Sequence, residues 1–262
     1  MKLLYALSAI LFTLGSSAQF GPIQLAFESE TKFPFRVMAG DVDGDGDLDA
    51  ITYNSGTGSS NTNTLRWSEN LGGGVFGETR VMFTGNISAA EALQARDMDN
   101  DGDADVVVEG TWYRNDGTGV VTLVGVYSPV GGAGLLLQDL DGDGDVDDVV
   151  RTATGCNLLL NNGAGVFTVG AAIGPVGTNT TMTVAQGDLN GDGLPDLVVG
   201  GDNAQLGWYA NLGGSAFGPQ QTIPGYVAPA QPHCGDVDGD GDDDLIVFGM
   251  ADGTVWYAND GS

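Results

Sequence analysis

The chain has 262 residues, of which 44 are glycine, 35 are acidic and only eight are Lys or Arg, so its formal charge is −27 at neutral pH. Because there is no basic patch to displace counterions from phosphate groups, we expect no nucleic-acid binding. The same charge opposes binding to an anionic membrane surface. A hydrophobic content of 42%, arranged in regularly spaced runs, argues against disorder.

The first 18 residues have the layout of a secretory signal peptide. Lys2 is a short basic region, an apolar run follows from Leu3 to Leu14, and small residues precede Gln19. The run is too short to span a membrane, and a buried N-terminal helix is the alternative interpretation. We therefore expect cleavage after Ala18, export to the extracellular space and no membrane insertion.

From Gln19 onward the chain predicts repeated β-structure. Five similar units follow one another, and their aspartate-rich segments begin at Asp41, Asp97, Asp139, Asp188 and Asp236. Each unit has an apolar strand, the aspartate segment, a β-rich strand such as "LPDLVVG" and an aromatic strand such as "LGWYANLGG". A fourth strand follows, often opened by Phe-Gly as in "AFGPQQTI". Four strands in a unit of this length are typical of a β-propeller blade.

The two ends of the chain complement each other. The fifth unit stops at "WYANDGS", before its fourth strand, whereas "QFGPIQLAFES" at the mature N-terminus matches a fourth strand and has no unit of its own. We therefore predict an all-β fold, with residues 19–262 forming one propeller of five four-stranded blades. The N-terminal strand completes the last blade and removes the open sheet edges. Part of a larger ring is the competing interpretation, and we expect a monomer.

The aspartate segments follow the pattern D-x-[DN]-x-D-G-x-x-D, which favours a metal site. Oxygen ligands at positions 1, 3, 5 and 9, with a backbone carbonyl at position 7 and a glycine turn at position 6, suit Ca²⁺ better than Mg²⁺. The predicted ligands are Asp41, Asp43, Asp45, Asp47 and Asp49 in the first unit; Asp97, Asp99, Asp101, Asp103 and Asp105 in the second; Asp139, Asp141, Asp143, Asp145 and Asp147 in the third; Asp188, Asn190, Asp192, Leu194 and Asp196 in the fourth; and Asp236, Asp238, Asp240, Asp242 and Asp244 in the fifth.

These segments differ from an EF-hand. An EF-hand needs an acidic residue at position 12, but Thr or Val stands there in all five units and no helical pattern flanks the loops. About five Ca²⁺ sites are predicted, one in each unit, against the alternative of solvated acidic turns. Asn190 removes one charge from the fourth site, so we expect that site to be the weakest.

The five loops, the W-Y-x-N strands at Trp112, Trp208 and Trp256 and the Phe-Gly strand openings resemble the calcium-binding FG-GAP or VCBS repeat of integrin α-subunit propellers and secreted bacterial proteins. The resemblance covers essentially the whole mature chain and is poorest in the third unit, where "NLLLNNG" lacks the aromatic pair. It implies that the loop joins the first and second strands of each blade. Five units differ from the seven blades usual in integrins.

No catalytic constellation stands out in the sequence. His233 and Cys234 are neighbours, but adjacent strand residues point to opposite faces and cannot easily form a nucleophile–base pair. An arginine near an acidic turn, such as Arg36, Arg96 or Arg151, is usually an ion-pair partner. For Cys156 and Cys234 we expect buried thiols, with a disulfide as the alternative.

We therefore predict an extracellular interaction or adhesion module, not an enzyme, that binds a protein or glycan and uses calcium structurally. An enzyme acting on extracellular polysaccharide and a structural scaffold are the alternatives. The Trp and Tyr strand residues are expected between the blades. The resemblance implies a ligand face on the side opposite the aspartate loops, at residues 31–35, 54–63, 85–91, 128–134, 174–181 and 225–231.

Overall fold

The computed structural model describes residues 33–55, 63–85, 93–108, 110–131, 134–152, 155–173, 182–201, 205–227, 230–249 and 253–261. The expected signal peptide and the N-terminal strand lie outside these residues, as do large parts of the expected ligand face. Within the described ranges there is no helix, and hence none long and apolar enough to cross a membrane.

The described strands form five antiparallel sheets, which we number blades 1 to 5. Blade 1 contains β1 (Phe33–Gly40), β2 (Asp49–Ser55), β3 (Asn63–Ser68) and β4 (Arg80–Gly85). Blade 2 contains β5 (Leu93–Arg96), β6 (Asp105–Val108), β7 (Thr111–Arg114) and β8 (Thr122–Val126). Blade 3 contains β9 (Gly134–Gln138), β10 (Asp147–Thr152), β11 (Gly155–Leu160) and β12 (Thr168–Ile173). Blade 4 contains β13 (Met182–Gly187), β14 (Asp196–Gly201), β15 (Gln205–Tyr209) and β16 (Gln221–Val227). Blade 5 contains β17 (Ala230–Gly235), β18 (Asp244–Gly249) and β19 (Gly253–Tyr257).

Each blade is a simple meander in which sequence neighbours pair side by side. Blades 1 to 4 have four strands, as the repeat pattern predicts, and each aspartate loop joins the first strand of its blade to the second. The described part of blade 5 has three strands, so the fourth strand predicted from residues 19–29 is not among those described. The all-β, blade-like architecture is therefore confirmed, whereas closure of the ring stays a prediction.

The second strands of blades 2 to 4 are buried on both faces because neighbouring blades cover them. Ile51 and Trp67 of blade 1 pack in one cluster with Val106 and Tyr113 of blade 2. The next residue of blade 2, Val107, faces the other way and joins the cluster between blades 2 and 3. Equivalent clusters join blades 3 and 4 and blades 4 and 5. Burial on both faces explains the unbroken Val/Leu runs that follow the aspartate loops.

Blade 5 differs because no described sheet packs against one of its faces. Trp256, which pairs with Ile246, is 49% exposed, and Phe248 is 50% exposed. The matching tryptophans of blades 1 and 2, Trp67 and Trp112, are 1% and 5% exposed. The prediction that the aromatic strand residues lie between blades is therefore confirmed for Trp112 and stays a prediction for Trp256, because no described sheet follows blade 5.

Candidate metal centre

The five aspartate loops fold alike because each wraps its backbone around its own carboxylates. In every loop the glycine at position 6 donates its N–H to the aspartate at position 1, at 2.8–3.2 Å. The residue at position 7 donates its N–H to the carboxylate at position 5, at 2.9–3.2 Å. These glycines have φ between +85° and +103°, where a Cβ would strain the backbone. The pattern places the carboxylates on the inside of a tight turn.

The aspartate at position 9 is the most buried of the predicted ligands and fastens the loop to the sheet. One of its oxygens accepts the N–H of position 2, at 3.0–3.2 Å. The other accepts the N–H of an asparagine at the end of the third strand, at 2.6–3.0 Å. These aspartates are Asp49, Asp105, Asp147, Asp196 and Asp244, each no more than 1% exposed.

Burial opposes ionisation of these carboxyls. It raises the pKa of Asp105 to about 7 and that of Asp147 to about 6, and it also raises the pKa values of Asp49 and Asp196. The pKa of Asp244 is instead lowered, chiefly by the hydrogen bond from the N–H of Asn259. A cation bound beside these carboxylates would offset the cost of keeping them charged.

In four of the five loops the structure brings three predicted ligands together. Each group has one carboxylate oxygen per residue, and these oxygens all lie within 4.8 Å of one another. The groups are Asp41, Asp43 and Asp45; Asp97, Asp99 and Asp105; Asp139, Asp141 and Asp147; and Asp236, Asp238 and Asp244. The position 5 aspartates Asp101, Asp143 and Asp240 and the position 9 aspartate Asp49 are outside these sets but bonded within the same loops.

The fourth loop has the same backbone fold but no such trio of carboxylates among the described residues. Asn190 occupies position 3, and its amide oxygen accepts the N–H of Asp192 at 2.9 Å, as an aspartate does elsewhere. Asp188 and Asp196 keep their loop hydrogen bonds. The site therefore has one carboxylate fewer, which is the difference behind the prediction of weaker binding.

The first two loops contain buried oxygens that fit a cation. The Oδ1 atoms of Asp41, Asp43 and Asp99 are buried and have no hydrogen-bond partner among the described residues. Burial and then neighbouring carboxylates raise the pKa values of Asp43 and Asp99, so no donor within the loop neutralises them fully. A set of hard, anionic oxygens with unused lone pairs matches the coordination chemistry of Ca²⁺. The backbone carbonyls of Asp47, Asp103, Asp145, Leu194 and Asp242 remain the predicted position 7 ligands.

Sequence analysis did not identify Arg114 as part of a loop. Its guanidinium lies 2.8 Å from Asp99 and 3.4 Å from Asp101, both predicted ligands of the second site. The arginines singled out from the sequence were Arg36, Arg96 and Arg151; among these, Arg96 donates to the carbonyl of Ala95. Arg114 follows "TWY" on β7 and reaches the loop only because β7 lies beside β6.

Sequence analysis also did not assign a role to the asparagine of the W-Y-x-N strands. Its side-chain NH₂ group bonds two carbonyls, one in its own loop and one at position 2 of the preceding blade's loop. The bonds between blades run from Asn115 to Val42 (2.5 Å), Asn161 to Met98 (2.9 Å), Asn211 to Leu140 (2.9 Å) and Asn259 to Leu189 (3.1 Å). The NH₂ group of Asn70 bonds only the carbonyl of Leu48, in its own blade, among the described residues. The asparagine thus ties each candidate metal loop to its neighbour.

His233 and Cys234 do not form a pair that could act together. His233 is exposed on β17, whereas Cys234 packs against the cluster between blades 4 and 5. Cys156 and Cys234 are free thiols, as expected, and burial raises the pKa of each to about 12. Neither thiol is therefore activated as a nucleophile.

Blade-like meanders, each with an aspartate loop between its first and second strands, define a class of β-repeat proteins. The sequence model described as the FG-GAP-like repeat matches residues 41–108, 139–199 and 188–247. These matches cover more than half of the chain, so the chain belongs to the FG-GAP-like repeat family. No curated protein matches the chain.

Solved structures resemble the fold. One is described as the structural basis of specific recognition of non-reducing terminal N-acetylglucosamine by an Agrocybe aegerita lectin, with 21% identity and a TM-score of 0.64. The match covers 87% of this chain and 63% of the lectin chain, so this chain spans less than two thirds of the lectin's length. A second, the crystal structure of TcdB2-TccC3, has 16% identity and a TM-score of 0.35 over 85% of this chain and 14% of the other. The lectin supports the fold, and the second match is too distant to add to it.

Proposed function

We propose that this chain is an exported, calcium-stabilised propeller that acts as an extracellular binding module for a glycan or protein. The observation that carries the proposal is the aspartate loop, which recurs at the same place in successive blades and groups three carboxylates in four of them. Asparagine side chains bond each loop to the loop of the preceding blade in blades 2 to 5. Such an arrangement makes the metal part of the framework. The variable connections at the other end of the blades are then left for recognition.

Calcium is the ion that best suits these loops. Four loops each hold three close carboxylates, whose mutual repulsion a bound cation would offset, and the Oδ1 atoms of Asp41, Asp43 and Asp99 have no hydrogen-bond partner among the described residues. Mg²⁺ would demand a smaller octahedral site and would retain its waters. When bound, Ca²⁺ would supply positive charge and cross-link positions 1 to 9 of a loop.

Calcium removal gives the direct test. Binding to the folded state alone adds to the free energy of unfolding, so excess EDTA should lower Tm by ten degrees or more, on the order expected from several sites. Adding Ca²⁺ back should restore it, and Mg²⁺ should restore much less. Asp43→Ala should reduce the calcium-dependent gain, whereas Asp116→Ala, at an exposed carboxylate outside the loops, should not. An unchanged melt after verified metal removal would contradict the calcium proposal.

Ring closure belongs to the same proposal. In blades 1 and 4 the Phe of the Phe-Gly opening forms an isolated antiparallel β-bridge with the strand-end asparagine, in the pairs Asn70–Phe76 and Asn211–Phe217. The following glycine donates its N–H to the residue before that asparagine, as Gly77 does to Glu69. Phe20-Gly21 repeats this opening, and Asn259 is its matching asparagine. The N-terminal strand would thus add to β19 and complete blade 5.

Glycan binding is the first recognition chemistry to test, because the solved relative with the similar fold is described as a lectin. A glycan array probed with and without EDTA, beside an activity screen on polysaccharides, separates a binding module from an enzyme. We expect calcium-dependent binding without turnover. Turnover that a single substitution abolishes would instead favour the alternative, an enzyme acting on extracellular polysaccharide.

A further inference from the structure

A cavity of about 410 Å³ lies at the end of the blades opposite the aspartate loops. Residues near the starts of the first strands of blades 2 to 5 line it, whereas the aspartate loops follow the ends of those strands. The cavity is therefore separate from the candidate metal sites in the aspartate loops. Its volume lies in the range of about 300–1,000 Å³ typical of small-ligand sites.

One lining side chain is held in a fixed orientation. The Oε1 atom of Gln94 in blade 2 accepts the N–H of Leu137 in blade 3 at 3.0 Å. With its carbonyl fixed across the boundary between blades, Gln94 retains an NH₂ group that has no partner among the described residues. A donor that is already oriented loses little conformational freedom when a ligand arrives. Across the cavity, Gln231 and His233 of β17 add an exposed amide and the only imidazole of the chain.

The chemistry of the lining selects against charge. Apart from His233, no titratable side chain of the described residues lines the cavity, and Leu93, Leu135 and Pro232 give it an apolar wall. The formal charge of −27 repels anions at a distance. A matching ligand is neutral, with hydroxyl or amide groups on one side and C–H groups on the other. The terminal sugar of an uncharged saccharide has this character.

We propose that this cavity binds the terminal residue of an uncharged saccharide. Gln94, Gln231 and His233 hydrogen-bond its oxygens, and the apolar wall packs against its C–H face. The assignment rests on the proposed glycan-binding function and names the site and the ligand class for it.

The test uses the mature chain with bound Ca²⁺ and an array of uncharged glycans, including N-acetylglucosamine-terminated ones, together with sulfated and carboxylated glycans. We expect binding to uncharged termini, and at least a tenfold loss of affinity in both His233→Ala and Gln94→Ala. His233 is exposed, so its variant should keep the Tm of the parent even if Gln94→Ala loosens the contact between blades 2 and 3. Gln221→Ala, an exposed glutamine on the outer strand β16, is the matched control and should bind normally.

The possible failures are distinguishable. If uncharged glycans bind the parent protein and both cavity variants equally well, the assignment of the binding site to this cavity is wrong while the glycan-binding function stands. If only charged glycans bind, the ligand class is overturned. If no glycan binds to the calcium-loaded protein, both the cavity assignment and the glycan function are overturned.

Discussion

At the scale of single residues, Arg114 distinguishes the second loop from the other four. The position before the strand-end asparagine is Glu69 in blade 1 and Ala210 in blade 4, whereas Arg114 places a positive charge against Asp99 and Asp101. The coulombic attraction raises the pKa of Arg114, so the guanidinium stays charged. It therefore competes with a cation for the same two carboxylates.

We expect Arg114→Gln to raise the Ca²⁺ affinity of the second site by about threefold to tenfold, the scale of one nearby charge in a partly solvated site. Calcium titration calorimetry would show a higher Ca²⁺ affinity in one class of sites and an unchanged affinity in the others. Arg80→Gln is the control, because its partner Glu69 is not a predicted ligand. A fall in affinity would mean that Arg114 orders the loop instead of competing with the ion.

The two thiols allow a second test at this scale. Burial raises the pKa values of Cys156 and Cys234 to about 12, so the thiolate is scarce at pH 8. We expect neither to react with a thiol reagent within minutes in the folded, calcium-loaded protein, and both to react after unfolding. Rapid native labelling of Cys234, the less buried of the two, would show that blade 5 opens readily.

At the scale of elements, the strand-end asparagine links one blade to the next. Asn115 is fully buried, and its NH₂ group bonds the carbonyls of Val42 in blade 1 and Ala104 in its own loop. Among the described residues, the NH₂ group of Asn70 bonds only within blade 1. Removing Asn115 leaves a buried carbonyl without a donor. The two asparagines therefore separate the bond between blades from the bond within a loop.

We expect Asn115→Ala to lower the free energy of unfolding by about 2–3 kcal/mol, from the lost hydrogen bonds and the unsatisfied carbonyl of Val42. Asn70→Ala should cost distinctly less if Asn70 bonds only within blade 1, and about as much if a closed ring joins it to Val237. Chemical denaturation of both variants in saturating Ca²⁺ measures the difference. Equal losses would favour a closed ring, whereas a negligible loss in Asn115→Ala would show that the bond to the preceding blade adds nothing to stability.

The elements were predictable from the sequence because their signals are local. The D-x-[DN]-x-D-G spacing fixes the loop, and the apolar runs after it mark a strand covered on both faces. The asparagine bonds were not predictable, because the residues that they join are 63 to 73 positions apart in the chain. Arg114 was missed for a related reason: strand pairing, not sequence proximity, brings it to the loop. Residues of four different blades line the cavity, so the sequence of a single repeat does not predict it.

At the scale of the whole molecule, no sheet among the described residues covers one side of blade 5, whereas blades 1 to 4 each pack against their successor. Val237 at position 2 of its loop is 46% exposed, whereas Val42 and Met98 at the same position are fully buried. Trp256 and Phe248 are uncovered in the same way. Blade 1 has the complementary group, since Asn70 shows no bond to a preceding blade. A closed ring would bring Asn70 and Val237 together, as Asn115 and Val42 are in the structure.

Closure by the N-terminal strand can be tested by a matched pair of substitutions. Phe217 bridges Asn211 and packs against the cluster between blades 3 and 4, so Phe217→Ala should cost about 2–4 kcal/mol, somewhat below the loss for a fully buried phenylalanine. If Phe20 makes the same bridge to Asn259, then Phe20→Ala should cost a similar amount in denaturant unfolding of the chain that begins at Gln19. Amide exchange should also accelerate along β19. Loss of stability in Phe217→Ala but not in Phe20→Ala would show that the N-terminal segment is not the fourth strand of blade 5. The uncovered face would then need a sheet from another source.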